Sequence, residues 1–251
     1  MKPVIALLLF GLATPAFADA VASFRDGRFL AAAQQGRAEA TAESLEIAGR
    51  ATLTIACYET RDRARALELL SVADRDFDAA LAKEPTNLRA RMQKALALGY
   101  RAKLTKSPGL ARETRRTFEA LRAANPNYAI AAAAIGGWHG GSIATLGSFL
   151  AGTVLGAKAN AVDPAFQAAM RLEPTSPVHR VFYAHVLLDL DRNNAPKATQ
   201  LLTGIDRLPT HDGFEALLKA QGIALLATLR AGDARAAQAL ARRQQPFGTI
   251  G

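Results

Sequence analysis

One spacing of small, aromatic and proline residues recurs along the chain. Ala73, Phe77, Ala80 and Pro85 are separated by four, three and five positions. Thr114, Phe118, Leu121 and Pro126 repeat the spacing, as do Val162, Phe166, Ala169 and Pro174, while Leu201, Gly204 and Pro209 repeat its final part. Steps of three and four place the apolar members on one helical face, and the proline ends the helix because it has no N–H to continue the ladder. Each phrase therefore reads as the end of a packed helix.

Helix starts agree with these stops. Asn87 and Asn127 are candidate caps; Ser107-Pro108, Asp163-Pro164 and Ser176-Pro177 each pair a cap with a proline at the first helical position; Asp62 and Asp233 open two more helices. The pattern predicts helices at 20–35, 41–58, 62–83, 88–104, 108–124, 128–157 (broken at Gly140-Gly141), 164–172, 177–190, 195–207, 212–230 and 234–244. The fold class is all-α. Pro85, Pro126, Pro174, Pro209 and Pro246 bound four successive intervals of 41, 48, 35 and 37 residues, each long enough for two helices and two turns.

On those residues the chain resembles the tetratricopeptide repeat (TPR) family, whose unit of about 34 residues is a helix-turn-helix with this signature. The resemblance implies an α-solenoid over residues 19–251, with repeats ending near 85, 126, 174, 209 and 246. The pattern is divergent: Arg91 and Arg180 stand where a large apolar residue belongs. A narrower resemblance, to the TPR-type core of the regulator of microtubule dynamics family, covers residues 135–209 through Ile135-Gly136-Gly137-Trp138-His139, Phe166 to Pro174 and Phe182-Tyr183-Ala184. It implies a helical binding module and carries no catalytic residue.

Residues 1–18 read as a signal peptide: Lys2, an apolar core from Val4 to Leu12, and an Ala16-Phe17-Ala18 cleavage site that would make Asp19 the first mature residue. The expected address is the bacterial periplasm, or the medium, with no membrane span after cleavage. Cys57 is the only cysteine, so no internal disulfide forms, and its apolar neighbours suit a buried inert thiol.

The formal charge of +9 is localised. Residues 88–125 hold ten Lys or Arg against Glu113 and Glu119; Lys2 leaves with the leader; the remaining acids and bases cancel. Export excludes nucleic acid as an expected partner, and the basic repeat points to an acidic protein surface or peptide, or to an anionic lipid. The candidate partner-binding residues are Arg89, Arg91, Lys94, Arg112, Arg115 and Arg116. The leading expectation is thus a scaffold or adaptor for an envelope protein, since stacked helix pairs present a concave binding face.

From Ala123 to Ala157 the chain carries no charge at all. Pro126 and the glycines around Trp138 interrupt it, favouring a buried repeat helix plus a short inserted one over a membrane span. This stretch supplies an alternative, a lipid or small-molecule binder associated with transport, whose apolar pocket would be lined by Trp138, His139, Phe149 and Tyr183. No metal, cofactor or catalytic centre is expected. His179 and His185 have the wrong spacing to share a helix face, and Asp74, Asp76 and Asp78 lack the glycine and glutamate of a calcium loop.

Overall fold

The computed structural model describes residues 19–250, all of whose regular structure is helical. The leader read in residues 1–18 lies outside the described residues. Thirteen α-helices follow one another among them: α1 Ala20–Arg25, α2 Phe29–Glu39, α3 Ala42–Thr54, α4 Arg63–Lys83, α5 Leu88–Thr105, α6 Pro108–Ala124, α7 Ala129–Leu146, α8 Ser148–Leu150, α9 Val162–Leu172, α10 Pro177–Leu190, α11 Ala195–Leu202, α12 Gly213–Arg230 and α13 Ala234–Gln244. π turns at Ile55–Glu59 and Ala151–Leu155 extend α3 and α8.

The phrases of small and aromatic residues do bury one face. Ala73, Phe77, Ala80, Phe166 and Ala169 have no exposed surface, and Phe118 and Val162 almost none. Each Phe contributes roughly 1.5–3 kcal/mol by leaving water. The facing helix makes room by offering glycine. A Cβ on Gly49 of α3 would lie 2.3 Å from the Phe77 ring, and one on Gly136 of α7 would lie 2.8 Å from Phe166. The aromatic of the second helix in a pair is therefore seated directly on the backbone of the first.

The prolines do more than stop helices. A residue preceding proline is driven out of the α region, and Glu84, Asn125 and Glu173 take nearly the same conformation, with φ −135°, −134° and −132° and ψ 84°, 75° and 74°. In each case the amide three residues on, of Asn87, Tyr128 or Ser176, donates back to that residue's carbonyl at 3.0–3.2 Å. One turn is built three times. Arg91 and Arg180 then have a shared explanation, because each sits six residues beyond its proline and donates to that proline's carbonyl.

Several expected boundaries are corrected. The first helix is split at Gly27 (φ 74°) into α1 and α2. α7 runs straight through Gly140-Gly141, where Val186 would lie 2.2 Å from a Cβ at 140, and breaks instead at Gly147 (φ 78°). α9 begins at Val162, so Asp163 lies in its first turn, where its carboxylate accepts from Tyr183 and Lys197 rather than capping a helix. Tyr128, not Asn127, precedes α7, and Ser176 makes no side-chain cap bond. α11 ends at Leu202 because Gly204 turns left-handed. Asp62, Asn87, Ser107 and Asp233 cap as their positions indicate.

Most helices pack on their sequence neighbours, but the two ends of the chain also meet. Gly213 opens α12 against the backbone of Gly27, close enough that a Cβ would lie 2.4 Å from the Gly27 Cα. Phe214 packs with Tyr58 and Phe182. Beyond α13, the Phe247 amide donates to the Cys57 carbonyl at 2.8 Å, Lys103 Nζ donates to the Pro246 carbonyl at 3.0 Å, and the Phe247 ring meets Tyr100 edge-on. The carboxyl-terminal segment thereby links α5 to the π turn that follows α3. Cys57 is buried there, and desolvation pushes its thiol pKa well above the usual range.

Candidate functional site

Two adjacent features hold the candidate residues: the basic helices α5 and α6, and the uncharged excursion from α7 to α9. Their chemistry is decided by which charges the fold already uses.

On α5 the bases are largely engaged. Arg89 is exposed and lies 3.8 Å from Glu43 of α3. Arg91 holds the Pro85 carbonyl. Lys94 pairs with Asp78 and approaches Asp74 at 3.8 Å. Lys94 and Arg91, with Arg101, line a groove of about 380 Å³ between α4, α5 and α6 whose other walls include Leu81, Leu98, Leu121 and the acids Asp74 and Glu113. Exposed pairs of this kind contribute about 0–1 kcal/mol, so they exchange readily for an acidic partner.

On α6 the arginines divide. Arg115 is half-buried: its guanidinium donates to the carbonyls of Leu155 and Gly156 at 3.2 and 3.1 Å, lies 5.4 Å from the Trp138 ring centre and 3.6 Å from Glu119. Arg112, one turn earlier, donates to the Val154 carbonyl at 3.0 Å. Both therefore complete the end of the π turn, where carbonyls lack partners and a cation is favoured. Arg116 is exposed, and no ion pair joins it to any of the described residues.

The four residues expected around one apolar pocket occupy separate surroundings. Trp138 donates its indole N–H to the Ala111 carbonyl at 2.9 Å and packs edge-on against His139. His139 Nδ1 accepts from the Lys158 amide at 3.1 Å; desolvation, then Arg115 and Lys158, lower its pKa to about 4, so the ring is neutral. Tyr183 is buried, stacked on Phe166 and bonded to Asp163. Phe149 is 85% exposed. The structure joins Trp138 to His139 and leaves Phe149 and Tyr183 apart from them.

The stretch 145–150 is exposed at every position, with Leu146 and Leu150 beside Phe149. Behind it Ala151, Leu155 and Ala157 are buried with Ile143. Leu146 and Leu150 were not legible as surface residues, because nothing in an apolar run says which side faces solvent. Gly147, in the middle of the apolar run, was the available sign of a turn, and a Cβ there would meet nothing within 4 Å.

Among the described residues no cluster of three or more potential metal ligands occurs, and no helix is long and apolar enough to cross a membrane. No protein-family model matches the chain, and no curated protein matches it.

Proposed function

We propose that this chain is an exported, periplasmic TPR-like module, an α-solenoid of divergent repeats that holds an acidic surface or peptide of an envelope protein and acts by binding rather than by catalysis. The thrice-built proline turn and the seating of phenylalanines on facing glycines support the repeat reading. The observation that carries the binding reading is the distribution of charge on α5 and α6. Arg116 is exposed without an ion pair among the described residues, and the groove beside it is lined by Arg91, Lys94 and Arg101. The groove is a better candidate than the side of α5 that carries Tyr100 and Lys103, because the carboxyl-terminal segment already covers that side and the π turn after α3.

The test is affinity capture from an envelope extract with the wild-type chain and with an R101E/R116E variant. A stoichiometric protein retained by the wild type and lost by the variant, with unchanged thermal unfolding, is the expected result. Equal capture by both, or none by either, removes this surface from consideration. Recovery of a periplasmic chain beginning at Asp19 is the matching expectation for export.

A further inference from the structure

We infer that the Leu146–Leu150 turn is a membrane-contact peg that inserts into an anionic phospholipid surface while the bases at its foot meet the phosphates. The inference does not rest on the adaptor reading: Arg116 borders both surfaces, but the apolar turn lies outside the groove, and lipid vesicles rather than an envelope protein probe it.

Leu146, Phe149 and Leu150 expose 38, 85 and 46% of their surface, on a turn whose intervening residues are glycine and serine. A lone exposed leucine needs no explanation, but three large apolar side chains on one projecting turn form a patch with a cost in water. The turn is held firmly. Ala151 and Leu155 of the π turn that follows are buried behind it, and Arg112 and Arg115 clamp the carbonyls of Val154, Leu155 and Gly156. An anchored loop pays little ordering entropy when it inserts, which distinguishes it from a flexible tail.

Charge selects the occupant. Between Glu119 and Asp163 no acid occurs, and the only charges are Arg122 and Lys158. Lys158 is exposed immediately after the anchored turn, and Arg112 and Arg116 share one face of α6 at its foot. Of the acids in reach, Glu119 faces Arg115 and Glu113 lines the groove on the α4–α5 side, while Asp163 is taken up by Lys197 and Tyr183. An apolar tip with bases following it in the chain and on the helix behind its base is the arrangement that places side chains among acyl chains and ammonium or guanidinium groups at headgroup phosphates. A protein partner suits it less, since stable protein interfaces surround their apolar centre with an area of roughly 800 Å² per partner, and here the tip projects alone.

The test is co-sedimentation of the full chain, as cells produce it, with vesicles of phosphatidylcholine alone and of equal parts phosphatidylcholine and phosphatidylglycerol. Every variant carries the same amino terminus, so any affinity contributed there cancels. We expect binding to the anionic vesicles that weakens with salt, falls by at least about tenfold in F149S, survives in F149W, and falls severalfold in K158E, a position outside the α4–α6 groove. F149S changes a solvent-exposed side chain, so its unfolding curve should match the wild type. Undiminished binding by F149S, equal binding to both vesicle types, or no vesicle binding by the wild type overturns the inference. Protection of Phe149 by a protein from an extract, without vesicle binding, would assign the turn to a protein partner instead.

Discussion

Arg50 donates from Nη2 to Asp212 Oδ2 at 2.8 Å, joining α3 to the first turn of α12 across 162 positions of sequence. The same guanidinium lies over the Phe24 ring and 3.7 Å from Glu46. In a linear array each repeat touches only its neighbours, so this contact is one of those by which the chain departs from that scheme. Asp212 also caps α12 by accepting from the Glu215 amide at 2.9 Å.

Replacing Asp212 with Asn keeps an oxygen for the cap and removes the charge that Arg50 meets. We expect D212N to lose about 1–2 kcal/mol of stability. Combined with Arg50→Gln, the double-mutant cycle should show a coupling of about 1 kcal/mol. Urea unfolding of the four proteins measures it, and strict additivity would mean that the two ends are not held by this pair.

Phe247 adopts a left-handed backbone, φ 64°, that a bulky side chain takes only when its surroundings compel it. Its amide bond to Cys57 and its ring against Tyr100 supply that compulsion. F247A should cost about 3 kcal/mol. The loss should also make Cys57 accessible, read as faster labelling by a thiol reagent under native conditions; unchanged labelling would show that the segment does not cover the thiol.

Acid should weaken the fold before any carboxylate titrates in the unfolded chain. His139 and His185 are buried, and desolvation lowers both imidazoles to about 4, with Arg115 and Lys158 adding to the effect at His139 and Gln244 and Asp189 opposing it at His185. The unfolded chain holds ordinary histidines near 6.5 and so binds more protons between about pH 6.5 and 4. Stability should fall as pH drops through that window, the histidine contribution saturating near 4, with each histidine contributing at most about 1.4 kcal/mol per pH unit. Chemical denaturation across the range, with H139Q and H185Q, checks it: each variant should flatten the slope.

Glu46 is fully buried, and neither carboxylate oxygen has a hydrogen-bond partner among the described residues. Burial raises its pKa, and Arg50 and then Arg89 only partly offset this. A folded pKa above the unfolded one makes the ionised form a liability at neutral pH, relieved as pH falls through the folded value. E46Q should therefore raise stability by about 1 kcal/mol at pH 7, and its advantage should shrink on acidification. A destabilised E46Q at pH 7 would mean that the Arg50 pairing outweighs desolvation.

Many helix starts and stops were legible because they depend on local chemistry, but eleven helices were expected and thirteen occur among the described residues, since left-handed turns at Gly27 and Gly147 divide two of them. Pro85, Pro126 and Pro174 dictate the conformation of the residue before them whatever lies elsewhere, and Asp62 or Asn87 caps a helix with its own side chain. The candidate sites were less legible because they depend on what comes near. Arg91 and Lys94 are ordinary bases in sequence, and only folding assigns one to a proline carbonyl and the other to Asp78. Trp138, Phe149 and Tyr183 look alike as apolar aromatics, yet one is pinned to Ala111, one projects into solvent and one is sealed beneath Phe166.

Residue pattern alone set the all-α fold class, the stopping of helices before Pro85, Pro126 and Pro174, the single cysteine and the confinement of net charge to residues 88–125. Tertiary structure alone decided that Phe247 lies against Cys57 and Tyr100, that Arg50 reaches Asp212, and that an apolar run turns outward at Leu146–Leu150. The physical reason is range. Propensity, capping and proline sterics act within a few residues, whereas the meeting of distant helices and the exposure of a side chain are fixed by the summed packing of the whole chain.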